Sequence, residues 1–441
     1  MSDLLVPTVS SPFRATITPP GSKSLTNRAL VMAALAQGRC TLHNALFADD
    51  TEVMIDCLTR LGFAPLVDRG THTITIEGRN GQIPAGGVEL FCGNSGTTLR
   101  FVAALCALGH GSFILDGVQR MRQRPVGGLV EILKNLGVRI EYTQASGFPP
   151  IRILADELPG GLLRYGSEQS SQFLSAVLMA APYARNEVRV KLVGQQTSWP
   201  YVAMTMHLMH EFGHSPELIR DPAGDPEEII IPRGKYAAVD YNIEPDASNA
   251  TYFLGVAAVH EGAKVTVEGL GKRSLQGDVG FADVLHQMGA ELLFGPVPSA
   301  VEGPDFITIK GVAELHGIEV DLLAMPDTAQ TLAVVALFAK GETVIKGLHT
   351  LKLKETDRLI ALATELRKLG AQVELGDDYL AITPPLKTTP AAIDTYDDHR
   401  MAMSFAIAGT KVEGVVIKDA ECVNKTYPNY FADLRTVLAG R

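Results

Sequence analysis

Apolar and polar positions recur along this chain with a period of roughly 70 to 80 residues. Six segments share one layout: a small polar cluster opens an apolar helix, a Gly-punctuated strand follows, and a second helix leads into a closing strand. The segments begin near Ser22, Asn94, Gln169, Asp246, Asp327 and Asp398. Their openings read SKSLTNRALVMAALA, NSGTTLRFVAALCAL, QSSQFLSAVLMAAP, DASNATYFLGVAAV, DTAQTLAVVALFAKG and DHRMAMSFAIAG. Each places Ser, Asn or Asp, whose side chains cap helix N-termini, before apolar residues at helical spacing. These first helices are apolar nearly all round, which predicts burial. The second helices are amphipathic and end alike, as in CLTRLGFAP, ILKNLGVRI and ELRKLGAQV, where a glycine stops the helix and an extended run follows. The sixth copy is shortened and ends in DLRTVLAGR.

The pattern predicts an α/β chain with buried helices at the centre of each domain, sheets wrapped around them and the second helices outside. Six copies divide into two domains of three, with the boundary in residues 237–251, where Pro and Asp interrupt the pattern. The strand in FRATITPPG can join either domain.

Parallel buried helices aim their N-termini the same way and gather free N–H groups and positive dipole ends on one face. Two such faces across a cleft make an anion trap. That explains PPGSKSLTNRAL, which puts Lys23 and Arg28 in the opening turns of a helix, where the dipole disfavours cations.

Length and charge narrow the field. A chain of 441 residues calls for two or more domains. A net charge of −10 disfavours nucleic-acid and anionic-membrane binding, though a local basic pocket remains compatible with it. The opening residues lack a secretory pattern, and the longest apolar runs, near 99–108 and 332–339, have buried-helix length. Cys40, Cys57, Cys92, Cys106 and Cys422 are scattered and form no C-x-x-C pair, as in a cytoplasmic protein with reduced thiols. The histidines show no metal-ligand spacing, so neither metal nor cofactor is expected.

At the helix openings stand residues suited to anionic groups: Lys23, Ser24 and Arg28; Asn94, Ser95, Gly96, Thr97 and Arg100; Ser170, Ser171 and Gln172; Asp327; His399 and Arg400. Linking segments add Arg120, Arg122 and Arg124, then Lys352, Lys354, Glu355, Asp357 and Arg358, then Lys425. Each alone reads as a solvated charge or a cap; equivalent placement in repeated copies is what makes the set a site. GSKS lacks the glycine a P-loop needs, and GNSGTT lacks the dinucleotide spacing.

Taken in order, PGSKSLTNRAL, GNSGTTLR, RMRQRP, SSQFLSA, KETDRL, DHRMAM and KTYPNYF resemble the 5-enolpyruvylshikimate-3-phosphate synthase family over essentially the whole chain. The resemblance implies a two-domain inside-out α/β barrel of six βαβαββ copies, three per domain. The domains would be 21–242 and 1–20 with 243–441, and the active site would lie in the interdomain cleft. It implies transfer of the enolpyruvyl group of phosphoenolpyruvate to the 5-hydroxyl of shikimate-3-phosphate, with release of phosphate. By motif, Lys23, Gly96, Arg124, Arg358, Arg400 and Lys425 would hold phosphoenolpyruvate. Ser24, Arg28, Ser170, Ser171, Gln172, Ser198, Tyr201, Asp327 and Lys354 would hold shikimate-3-phosphate.

Both substrates carry a phosphate and a carboxylate, which suits bidentate arginine. Addition followed by elimination calls for two acid–base groups on different sides of the ligand. Glu355 is assigned to C3 of the enol ether, Asp327 to the hydroxyl, and Lys23 to the bridging oxygen or departing phosphate. Flanked by Lys354 and Arg358, Glu355 should be ionised in the empty site and take its proton once anionic ligands arrive. The sister family that uses UDP-N-acetylglucosamine usually carries a cysteine in the loop matching QRMRQRPVGG, and this loop has none. A non-catalytic anion-binding member would have no use for two carboxylates. Phe101, where many relatives have proline, and Thr350, where some have asparagine, depart from the pattern; Trp199 has no assigned role. Gly96 favours sensitivity to glyphosate and Phe101 counts against it. A cytoplasmic monomer acting on small molecules is expected.

Overall fold

The helix-opening serines and the helix-ending glycines act as their chemistry dictates. In a computed structural model describing residues 2–166, 170–295 and 305–440, Ser22 Oγ accepts the Leu25 amide at 3.4 Å and Ser95 Oγ the Thr98 amide at 3.3 Å. Gln169, the expected start of the third copy, lies outside the described residues. Chain contacts divide the molecule into a continuous unit, Gly21–Ile243, and a split unit, Met1–Pro20 with Glu244–Arg441.

In the continuous unit, α1 (Lys23–Leu35), α3 (Gly96–Cys106) and α5 (Ser171–Ala180) alternate with α2 (Asp49–Arg60), α4 (Gly127–Asn135) and α6 (Trp199–Glu211). Every residue of α3 is buried, as is α1 from Leu25 onward, whereas α2 buries only a stripe of Asp50, Thr51, Met54, Cys57 and Leu58. After α2, Gly62 takes φ +89°, its amide reaching the Thr59 carbonyl while Phe63 reaches that of Leu58, both at 3.0 Å. A side chain would strain that left-handed turn. The same two bonds recur after α4 and α6.

Three sheets repeat one plan. Gln37–His43 pairs parallel with Asp240–Asn242 and antiparallel with Thr73–Arg79, which pairs in turn with Leu66–Asp68. His110–Asp116 and Val188–Val193 hold the same place in the other two. The first strand of the first copy therefore takes its parallel neighbour from the end of the third.

In the split unit, α7 (Ala247–Val259), α9 (Ala329–Val335) and α11 (His399–Lys411) are buried, accompanied by α8 (Phe281–Gln287), α10 (Arg358–Lys368) and α12 (Tyr430–Leu438). Arg14–Ile17, which the pattern alone leaves unassigned, pairs parallel with Lys264–Glu268. In the shortened sixth copy the sheet is three short strands, with Leu4–Leu5 antiparallel to Val416–Ile417. One opening differs from expectation. Asp327 does not cap α9; it sits in a 3-10 turn, Pro326–Thr328, with its carboxylate drawn to neighbouring cations.

Hydrogen bonds join the opening turns of buried helices within each unit. Arg100 on α3 donates to Gln172 in the first turn of α5. Thr331, near the start of α9, bonds Thr251 of α7 at 3.1 Å and Ser404 of α11 at 3.4 Å. Among the described residues, no helix is long and apolar enough to cross a membrane.

Candidate active site

At the start of α1, Lys23 Nζ lies 3.3 Å from Asp50 Oδ2 on α2. Asp50 is almost buried and supplies the counter-charge that the helix dipole cannot. Five residues on, Arg28 is 1% exposed and threads between helices. Its Nε donates to Thr205 Oγ1 at 2.7 Å, Nη1 to the Ser24 carbonyl at 3.0 Å, and Nη2 to Ser175 Oγ at 3.2 Å and the Tyr201 carbonyl at 3.4 Å. Burial lowers its pKa to about 10, against the pull of Tyr201. Phe101 lies beneath this guanidinium, 5.1 Å from ring centre to Cζ, and α3 runs unbroken through it. The departure at Phe101 therefore builds a shelf under Arg28.

At the start of α3, Gly96 stands where a Cβ would come 2.7 Å from Arg124 Nη2 and 2.9 Å from its Cζ. Arg124 Nη1 donates to the Asn94 carbonyl at 2.9 Å. Gln172, reached by Arg100, follows Ser171 in the first turn of α5, whose cap Ser170 offers its carbonyl to the Tyr165 hydroxyl at 2.9 Å. Ser198 (φ +53°) leads into α6, and the Tyr201 amide returns to its carbonyl at 3.1 Å, with Trp199 half-buried between them. Arg122, by contrast, is spent on Asp116, Nε to Oδ1 at 2.9 Å.

The split unit holds a second cluster. Arg358, the first residue of α10, is 1% exposed and carries carboxylates on all three nitrogens. Nη1 meets Asp327 Oδ1 at 3.1 Å, Nη2 meets Glu355 Oε2 at 2.8 Å and Asp398 Oδ1 at 3.2 Å, and Nε meets Asp398 Oδ2 at 2.7 Å. Asp327 also takes Lys354 Nζ at 3.1 Å and Arg400 Nη2 at 3.2 Å. Lys425 Nζ stands 4.0 Å from Glu355 Oε1. Burial works against the Arg358 charge, but Asp398, Glu355 and Asp327 outweigh it and hold its pKa above the usual guanidinium range. Lys354 goes the other way: burial lowers it, although Asp327 opposes. Asp357 caps α10 through the Ile360 amide at 3.2 Å, and Lys352 pairs with exposed Asp377 at 3.0 Å, so both serve structure.

Sequence reasoning missed several residues of this cluster. Asp398 was read as a helix opener; it caps α11 through the Arg400 amide at 2.9 Å and also anchors Arg358. Tyr252 offers its hydroxyl to Arg400 at 3.4 Å, and burial raises its pKa to about 12. Asp278, held by the Ser248 hydroxyl, is pushed up to about 6 by burial, then by the charge of Asp327. Their only sequence signal was a polar residue beside a buried helix start. Among the described residues, no cluster of three or more His, Cys, Asp or Glu is placed to hold a metal ion.

Repeated helices with cations at their N-termini, and three carboxylates on one buried arginine, make a site suited to anionic ligands. Residues 7–434 match the family described as EPSP synthase (3-phosphoshikimate 1-carboxyvinyltransferase), and the chain belongs to that family. A 3-phosphoshikimate 1-carboxyvinyltransferase of Trichormus variabilis is 44% identical over 432 residues, covering 98% of both chains. One from Vibrio cholerae is 44% identical over 415 residues, covering 93% of this chain and 94% of its own. The EPSP synthase of Acinetobacter baumannii superposes with a TM-score of 0.79 at 26% identity, covering 98% of this chain and 97% of that one. The enolpyruvyl transferase NikO of Streptomyces tendae shares the fold, with a TM-score of 0.73 at 18% identity over 99% of this chain and 96% of its own.

Proposed function

We propose that this chain transfers the enolpyruvyl group of phosphoenolpyruvate to the 5-hydroxyl of shikimate-3-phosphate and releases phosphate, a step of the shikimate pathway to aromatic amino acids. One observation carries the chemical reading: Asp327 and Glu355 sit on different terminal nitrogens of the same buried Arg358. Addition and elimination need two proton-transfer groups at separate positions, and this arrangement holds two carboxylates apart by one guanidinium. Glu355 serves C3 of the enol ether, first as acid and then as base. Asp327 serves the 5-hydroxyl, and Lys23 the bridging oxygen or departing phosphate. Phosphoenolpyruvate takes Lys23, Arg124, Arg358, Arg400 and Lys425, with its backbone approach at Gly96.

Shikimate-3-phosphate takes Ser24, Ser170, Ser171, Gln172, Ser198, Tyr201, Asp327 and Lys354. Arg28 is already bonded to the Ser24 and Tyr201 carbonyls, so its part in that set is to fix those two residues. The reading requires residues of both units to act on one pair of ligands in a cleft between them. When phosphate and carboxylate groups draw the cations away, Glu355 loses its compensation, which is what drives a proton onto it. We place the enzyme in the cytoplasm as a monomer without nucleic-acid partners.

Phosphate release tests this. Purified protein with phosphoenolpyruvate should release phosphate with shikimate-3-phosphate and not with UDP-N-acetylglucosamine. Glu355→Gln should lose about 10²- to 10⁴-fold in kcat while still binding both ligands. Normal turnover by that variant would show the acid–base assignment to be wrong.

A further inference from the structure

The segment leading into α11 is strained. Tyr396 and Asp397, neither of them glycine, have φ of +56° and +55° in succession. The Asp398 amide donates to the Thr395 carbonyl at 2.9 Å, closing a turn with both central residues left-handed. Such turns are ordinarily made by Asn and Gly, because side chains crowd the backbone there. Directly after this turn come Asp398, which anchors Arg358, and Arg400, which meets Asp327.

The turn is held from α10. Glu365 is fully buried and accepts the Tyr396 hydroxyl at 2.6 Å on one oxygen. Its other oxygen takes the Asp394 amide at 3.1 Å and Lys368 Nζ at 2.7 Å. Lys368 and Lys418 both grip Asp394, at 2.6 and 3.0 Å. The Tyr396 side chain is itself 40% exposed, so little packing keeps it there. A buried carboxylate that spends two of its three bonds on one exposed hydroxyl and one loop amide, and the third on Lys368, is a clasp on that loop.

We propose that Tyr396 and Glu365 are positioning residues: their hydrogen bond holds the strained turn 395–398 and thereby sets Arg358 and Arg400 for phosphoenolpyruvate. The proposal rests on the reading given under Proposed function. Arg358 belongs to the same helix as Glu365, and Arg400 to the helix that the turn opens, so the clasp fixes the spacing of the two arginines.

Two variants separate the clasp from a merely structural role. Tyr396→Phe removes the hydroxyl and keeps the strain; Tyr396→Gly removes the hydroxyl together with the strain at its own position. Tyr396→Phe should raise KM for phosphoenolpyruvate about fivefold, leave the binary affinity for shikimate-3-phosphate unchanged, and speed amide exchange across residues 395–400. In Tyr396→Gly only Asp397 remains strained, and KM should return to within about twofold of the parent. An unchanged KM and exchange rate in Tyr396→Phe would overturn the proposal. So would equal damage from both variants, since loss of the hydroxyl would then act by a route other than releasing a strained turn. If the parent protein itself transfers nothing, the functional reading fails, and the exchange comparison still decides whether the clasp exists.

Discussion

Gly96 shows how much a missing side chain can matter. The space its Cβ would fill belongs to the Arg124 guanidinium, whose Nη1 is moored to the Asn94 carbonyl. Gly96→Ala should therefore push Arg124 out of place while leaving α3 intact, because alanine favours a helix. We expect KM for phosphoenolpyruvate to rise about tenfold with an unchanged thermal midpoint, checked by steady-state kinetics and a melting curve. Two other residues set an opposed pair of pH responses. Folded Asp278 keeps its proton up to about pH 6, against 3.8 for an ordinary aspartate. The folded state then binds more protons in that window, and stability falls as pH rises through it, by about 3 kcal/mol. His260, buried and bonded to Thr410 Oγ1 at 2.9 Å, is lowered to about 4 from 6.5 by burial and then by Lys411. The unfolded state binds more protons there, so this group makes stability rise with pH by a similar amount. The two slopes oppose each other in the parent. Asp278→Asn should show stability rising between pH 4 and 6 relative to the parent, and His260→Gln should show it falling. Denaturant midpoints across pH 4 to 7 check this; superimposable pH profiles for all three proteins would refute it.

At the scale of elements, what was legible followed from local rules. Caps, buried helices and helix-ending glycines depend on neighbours within a few residues, so Ser22, Ser95 and Gly62 could be read directly. The strand pairings could not. That Asp240–Asn242 would complete the sheet begun by Gln37–His43 depends on the closure of three copies, which no local pattern states. Arg14–Ile17 finds its partner across the whole continuous unit for the same reason. Within the candidate site, cations were easier to see than their partners. Lys23 stood out because a cation at a buried helix start has a cost that needs explaining, Arg358 because its linking segment is dense in charge, and Arg400 because it opens the sixth copy. Asp50, Asp278 and Asp398 looked like the caps and first-turn acids that any helix carries. Asp327 was found for its chemistry and misjudged in its geometry, since local capping lost to three nearby cations.

Across the whole molecule, an acidic chain of net charge −10 places cations at or near helix N-termini. Their present partners are carboxylates of the protein itself, Asp50 for Lys23 and Asp327 for Lys354, Arg358 and Arg400. On the proposed reading, substrate anions displace these internal partners and draw the two units together in doing so. Small-angle scattering should show a smaller radius of gyration once both ligands are added; an unchanged radius would count against closure.

The interruption of the split unit's sequence by the continuous unit has a consequence for synthesis. Residues 21–243 emerge from the ribosome as one uninterrupted stretch and can complete their three sheets as soon as Asp240–Asn242 is available. The strand Arg14–Ile17 is made before that stretch, yet its neighbour Lys264–Glu268 appears only after it. That strand must therefore wait, unpaired, while a complete body folds behind it, and the split unit is finished after the continuous one.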